Sequence, residues 1–77
     1  MERRKIGVTA YAGYRSGEQP RSFVLEGEEI SVAEIVSRWV EEGAEDRQQK
    51  RFFRVKGDDG FTYLLSYTEQ TGEWFLE

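Results

Sequence analysis

The chain has 77 residues and a formal charge of −4 at pH 7, from 15 acidic and 11 basic side chains. This length fits one domain with a small core, and the acidic balance argues against a dedicated double-stranded nucleic-acid binder, whose affinity comes mainly from neutralised phosphates. The chain contains no cysteine and no histidine, which excludes disulfides, thiolate metal sites and the commonest catalytic bases, so we expect a non-enzymatic domain over residues 1–77 without a cofactor.

The first part of the chain predicts two short strands. Lys5–Tyr11 alternates apolar and polar side chains, which favours a strand despite one internal glycine. Ala12–Arg21 contains two glycines, a serine and the single proline, a composition typical of a loop. Ser22–Leu25 predicts another strand, and Glu26–Glu29 predicts a turn after it.

The segment Ile30–Gly43 allows two interpretations. Its apolar residues recur at the spacing of one helix face, and Ser31 followed by Glu34 has the form of a capping box, so the local pattern predicts a helix. A strand through the same residues requires a β-bulge near Ala33–Glu34 to bring the apolar side chains to compatible faces.

A β-hairpin is the clearest element of the sequence. Arg51–Lys56 and Phe61–Tyr67 are rich in aromatic and branched residues, and the tetrapeptide Gly57–Gly60 between them contains an Asp-Gly turn signal. The turn also explains the adjacent carboxylates of Asp58 and Asp59, which we expect to bond nearby backbone amides instead of a metal. Ala44–Lys50 is a charged connection before this hairpin, and a second turn at Thr68–Gly72 precedes a last strand, Glu73–Leu76.

The order of these features resembles a small family of bacterial domains of unknown function, also seen at the end of some proteins akin to error-prone DNA-repair polymerases. The matching segments are Ala12–Arg15 with Glu18, Pro20–Phe23, Val32, Ile35–Val36, Arg38–Trp39, Phe53–Val55, Asp58–Gly60, Tyr63–Leu65 and Glu73–Trp74.

The resemblance implies a strand through Val32–Trp39 and a mainly-β fold: an SH3-like barrel of five or six antiparallel strands. Relative to the family, the connection Glu41–Gln49 is longer and more charged. We adopt this fold class, and an α+β fold with a helix through residues 32–42 is the alternative.

Aromatic and basic side chains supply the candidate binding surface. Small barrels can bind peptides in aromatic-lined grooves or stack nucleic-acid bases on exposed rings. Trp39 is expected to be a core residue. Most of the other rings are also expected to fill the core, and any that remain exposed are candidates for ligand contact: Tyr11, Tyr14, Phe52, Tyr63, Tyr67 and Trp74. The predicted binding surface comprises Tyr14, Arg15, Arg21, Lys50, Arg51, Phe52 and Arg54.

The function expected from the sequence is a protein-interaction module whose partner is another protein. The alternative is a single-stranded nucleic-acid-binding accessory module linked to DNA repair, based on the basic residues near the hairpin and on the resemblance. No apolar run approaches the ~20 residues that span a bilayer, so we expect a cytoplasmic protein without a membrane partner.

Overall fold

The computed structural model describes residues 4–11, 19–43 and 49–77, and all regular secondary structure in these ranges is β-strand. No helix able to cross a membrane occurs among these residues. The strands are β1 (Arg4–Tyr11), β2 (Gln19–Leu25), β3 (Glu28–Glu42), β4 (Gln49–Gly57), β5 (Thr62–Thr68) and β6 (Glu73–Leu76).

The six strands form a closed antiparallel barrel in which each strand pairs with its neighbours in sequence. The barrel closes between the first and last strands, where Ile6 of β1 lies opposite Trp74 of β6. The prediction of a small, mainly-β barrel is confirmed. The alternative helix through residues 32–42 is wrong, because these residues belong to β3.

Strand β3 has to bend, and two β-bulges allow it to do so. Its 15 residues would span about 50 Å if straight, whereas the longest dimension of the molecule is 36 Å. Up to Ser31 the strand pairs with β2, and from Val32 it pairs with β4. Register shifts in the β4 pairing leave Ala33 and Val36 as extra residues. The bulge expected near Ala33–Glu34 is therefore confirmed, and the one at Val36 was not predicted.

The bulges also explain the helix-like pattern of β3. A regular strand returns to the same face every second residue, and one inserted residue lengthens that interval to three. Val32 and Ile35 both pack against the core at an interval of three, with the bulge residue Ala33 between them. The spacing that predicts a helix face is thus produced by a bulged strand.

The core is small and consists mainly of large side chains. Trp74 is 6% exposed, and its ring centroid lies 5.6 Å from that of Phe53 and 4.7 Å from that of Tyr67. Phe23 meets Tyr63 edge to face with ring centroids 5.1 Å apart. The buried apolar residues are Ile6, Phe23, Ile30, Phe53, Val55, Leu65 and Trp74.

The predicted loop Ala12–Arg21 is wrong at its end, because β2 begins at Gln19. Pro20 is fully buried and lies opposite Ala10, while Ser22 lies opposite Thr9, so Arg21 is the extra residue of a bulge. A proline, which lacks the backbone donor of a regular ladder, is tolerated at such an irregularity. Pro20, which the sequence analysis assigned to a loop, therefore lies next to a bulge within strand β2.

The turn between β4 and β5 is held by a network around Asp59. Gly60 adopts a φ of 90°, which its missing Cβ permits. The backbone N–H of Phe61 donates to Asp59 Oδ1 at 3.0 Å, and the Tyr63 hydroxyl donates to Asp59 Oδ2 at 2.6 Å. Asp59 thus has the turn-stabilising role predicted for it.

The Asp59–Tyr63 hydrogen bond predicts a pH-dependent stability. The bond from Tyr63 lowers the pKa of Asp59 below 3.8, and the same bond raises the pKa of Tyr63 from 10.0 to about 12. Its contribution should be complete at neutral pH, because Asp59 is then charged and Tyr63 neutral in both the folded and unfolded states. The contribution should fall as acid protonates Asp59, and also as the pH rises from 10.0 to about 12, where the unfolded tyrosine ionises first.

Urea unfolding of the wild type and of Tyr63→Phe at acidic, neutral and alkaline pH measures this contribution. The difference in unfolding free energy between the two proteins should be largest at neutral pH and smaller at both extremes. Taking the difference cancels the titration of the other carboxylates. A difference that is constant across pH would show that the bond does not form in solution.

Candidate binding surface on the β3–β4 arm

The second half of β3 is paired on one side only. Its ladder with β2 ends where Ser31 faces Ser22, and from Val32 onward the pairing known for the described residues is with β4 alone. The pairing with β4 is regular from Ser37 to Glu42, opposite Gln49–Arg54. We call these two segments the β3–β4 arm.

An aromatic pair lies on the outer face of the arm. Trp39 lies directly opposite Phe52, and their rings stack with centroids 5.5 Å apart and planes within 4° of each other. Phe52 points outward because its neighbour Phe53 is 3% exposed and points into the barrel. Both rings of the pair are half-buried.

The expectation that Trp39 belongs to the core is wrong. Val32 and Ile35 pack against the core, but the second bulge, at Val36, changes which face each later residue of β3 occupies. Trp39 is therefore on the outer face with Phe52. The tryptophan that fills the core is Trp74.

Polar contacts hold the Trp39 ring in place. The guanidinium carbon of Arg54 lies 5.9 Å from the ring centroid, a cation–π distance typically worth about 0.5–1 kcal/mol at an exposed site. The indole Nε1–H donates to Glu41 Oε2 at 2.8 Å, and Lys50 lies opposite Glu41 in the ladder. The aromatic pair is consequently a fixed surface with cationic side chains beside it.

Arg51 already has an acidic partner. Its Nε lies 2.7 Å from Glu69 Oε1, and its side chain is about 29% exposed. The pair leaves little net charge at this point of the arm. Arg38, two residues from Val40 on β3, is exposed and is the other arginine beside the concavity described next.

A shallow concavity of about 240 Å³ adjoins the aromatic pair. This volume is below the roughly 300–1,000 Å³ of typical small-molecule sites, and it suits a side chain of a partner better than a cofactor. Among the described residues that line it, three are aromatic, one is valine, one is glutamine, two are arginines and none is acidic. These residues are Gln19, Arg38, Trp39, Val40, Arg51, Phe52 and Phe53.

The structure brings four of the seven predicted site residues together. Lys50, Arg51, Phe52 and Arg54 all lie on β4, and two of them, Arg51 and Phe52, line the concavity. Arg21 is exposed on β2 and does not line it. The predicted residues Tyr14 and Arg15 lie outside the described residues.

Other candidate rings have mainly structural contacts. Trp74 is buried, and Tyr63 and Tyr67 are half-buried against the core. Tyr14 and the side chain of Tyr11 lie outside the described part. The predicted surface omitted Gln19, Arg38, Trp39, Val40 and Phe53. The place of Trp39 beside Phe52 depends on the bulge at Val36, which no sequence signal indicated.

Within the described ranges, no group of three or more acidic side chains is arranged to hold a metal ion. Comparisons with protein-family models, with curated proteins and with solved structures each returned no match. The resemblance to the bacterial domain family therefore stays a prediction, and the candidate site is defined by its own geometry.

Proposed function

We propose that this chain is a non-enzymatic protein-interaction module, and that the β3–β4 arm binds an acidic partner segment carrying an apolar side chain. The observation that carries the proposal is the concavity at Trp39, whose described lining residues include three aromatic residues and two arginines and none that is acidic. Buried aromatic and arginine side chains are the groups that most often dominate protein–protein affinity.

The apolar part of the site is available to a partner. Val40 is 52% exposed at the concavity, on the face of the arm that carries Phe53, and the stacked rings of Trp39 and Phe52 are half-exposed on its opposite face. An aliphatic or aromatic side chain placed here would cover apolar surface that now faces water. The stack fixes both rings before binding, which reduces the entropy lost when a partner docks.

The electrostatics favour an acidic segment. Arg51 is neutralised by Glu69, so the exposed guanidinium of Arg38 is the main cation at the concavity. The chain as a whole carries a charge of −4, which repels an acidic segment from most other surfaces. The local charge around Arg38 thus supports both the position and the orientation of the partner segment.

A single-stranded nucleic-acid module is the second candidate. It is favoured by the outer face of β4, where Phe52 lies between Lys50 and Arg54, because a ring flanked by cations can stack a base and contact phosphates. Against it, Trp39 and Phe52 already stack on each other, Arg54 lies against the Trp39 ring, and the net charge is negative. The link to DNA repair has the resemblance as its support.

The proposal has two further parts: the type and origin of the barrel, and the location of the protein in the cell. An SH3-like barrel of bacterial origin is supported by the sequence resemblance. A cytoplasmic location is supported by the absence of cysteine, which fits a reducing compartment.

Titration with a short acidic peptide containing one phenylalanine tests the proposal. We expect Trp39→Ala and Arg38→Glu each to weaken binding by about tenfold or more, since each removes a contact of the size typical of a dominant interface residue. Lys56→Glu makes the same change of charge as Arg38→Glu, at an exposed position of β4 that does not line the concavity, and it should change affinity less than about threefold. Equal losses in both charge variants would show a net-charge effect and contradict the proposed site.

The same variants distinguish the nucleic-acid candidate. A short oligothymidine should bind weakly or not at all at low salt if the arm is a protein-binding site. Tight binding that falls steeply with salt and is lost in Arg54→Glu would favour the nucleic-acid module and displace the first proposal. Chemical shifts of the backbone amides of β3 and β4, followed by NMR, locate the site in either titration.

A further inference from the structure

Among the described residues, β3 has no strand partner on its second edge from Val32 onward, and its pairing with β4 is regular over its last six residues. Between Ser37 and Glu42 the pairing with β4 contains no register shift, whereas the preceding part of the strand is interrupted at Ala33 and Val36. Bulges protect an edge against further pairing, and a regular edge without them is a template for another strand. The region able to accept a strand is therefore Ser37–Glu42.

This stretch is self-complementary in one antiparallel register. A two-fold axis perpendicular to the sheet places each residue opposite its symmetry partner and keeps each side chain on its own face. With the axis at Val40, this valine faces its own copy, and Arg38 faces Glu42 of the second copy on the same side of the sheet. Both Arg38–Glu42 pairs then form at once, one on each side of a valine pair.

The neighbouring registers lack this match. Centring the axis on Arg38 places two arginines opposite each other, and centring it on Glu41 opposes two glutamates. Centring it on Trp39 pairs Arg38 with Val40 and Ser37 with Glu41, which forms no ion pair. Like charges directly opposite each other are destabilising, and opposite charges are stabilising, so the Val40 register is favoured among these.

The side chains that this register uses are accessible. Val40 is 52% exposed, and Arg38 and Glu42 are both exposed. Within the described residues, neither of these two charged side chains has an ion pair that would have to break. Pairing would cover the two valines and add backbone hydrogen bonds along an edge that has no strand partner among the described residues.

We infer that the β3–β4 arm binds a second copy of this chain through antiparallel pairing of Arg38–Glu42 centred on Val40. This inference rests on the proposed function and names its partner: the acidic segment with an apolar side chain is Val40–Glu42 of the other copy. The contact is short, so the interface lies at the small end of specific interfaces. We expect a dissociation constant between about 10 μM and 1 mM.

Sedimentation equilibrium of the whole chain across this concentration range tests the inference. The average mass should rise from monomer toward dimer, and Glu42→Arg or Arg38→Glu alone should weaken association by about tenfold or more, because each opposes like charges at both ends of the pairing. The double variant Arg38→Glu/Glu42→Arg exchanges the charges within each pair and should restore association. Glu28→Arg, an exposed residue in the half of β3 that is paired with β2, is the matched control and should leave association unchanged.

The outcomes separate this inference from the proposed function. A chain that stays monomeric at millimolar concentration but binds the acidic peptide through Trp39 and Arg38 would overturn the dimer and leave the proposed function intact. Loss of both activities would overturn both. Association that persists in Glu42→Arg, or that the charge exchange fails to restore, would mean that the copies meet through a different surface.

Discussion

Replacement of Trp74 with alanine is expected to lower the free energy of unfolding by about 3–5 kcal/mol. The side chain is 6% exposed, and its ring packs against Phe53 and Tyr67 at centroid distances of 5.6 Å and 4.7 Å. Trp74 also lies opposite Ile6 where the barrel closes. A chain of this size has a total stability of roughly 4–12 kcal/mol, so the substitution should remove a large part of it.

Trp39→Ala is the matched control, because it makes the same substitution on the outside of the barrel. Trp39 is half-buried against Phe52 and belongs to no part of the buried core, so we expect a loss of about 1 kcal/mol. Urea unfolding followed by far-ultraviolet circular dichroism measures both variants without relying on tryptophan fluorescence. Equal losses would contradict the assignment of Trp74 to the core and Trp39 to the surface.

The hairpin could be predicted from sequence because its signals are local. The Asp-Gly turn, the alternating apolar residues and the side chain of Asp59 all act within a few residues of one another, and the structure has β4, the turn and β5 at nearly the predicted positions. Pairing of β1 with β6 is different, because it joins the two ends of the described chain and depends on the shape of the whole barrel.

Strand β3 shows how a local pattern can mislead. The residues Val32, Ile35 and Val36 fit a helix face, but β3 pairs first with β2 and then with β4, and this tertiary pairing overrides its helix propensity. Each bulge inserts one extra residue, so that a strand with a two-residue repeat can have apolar side chains three residues apart on the same face. Only the bulge near Ala33 could be anticipated, because the core contacts of Val32 and Ile35 require it.

The candidate site could be predicted where its strand is regular, in β4, but not where its strand is bulged, in β3. Phe52 and its basic neighbours follow from the regular alternation of β4, whereas the position of Trp39 depends on counting both bulges of β3. An uncounted bulge moves every later side chain to the opposite face. The sequence analysis therefore placed the β4 residues of the arm correctly but assigned Trp39, the aromatic residue of β3, to the core.

Gly57→Ala is expected to lower the free energy of unfolding by about 1–3 kcal/mol, a cost typical of overpacking. Gly57 lies opposite Val32, where β3 leaves β2 and joins β4. A Cβ atom at Gly57 would lie 2.6 Å from Asp59 Oδ1 and 2.8 Å from Ile30 Cγ2. Neither neighbour can move easily, since Ile30 is buried and the Asp59 carboxylate accepts hydrogen bonds from Phe61 and Tyr63.

Gly7→Ala separates this steric cost from the general effect of replacing a glycine in a strand. A Cβ at Gly7 would meet no atom within 4 Å, and removing the glycine also reduces the entropy of the unfolded chain, so stability should be unchanged or rise by up to about 1 kcal/mol. Urea unfolding of the two variants gives the comparison. If Gly57→Ala cost no more than Gly7→Ala, the turn and Ile30 would have to be free to shift, and the bend of β3 would not depend on close packing at Gly57. A clear difference would show that the missing side chain at Gly57 allows the turn to pack closely against β3 at the point where this strand changes partners.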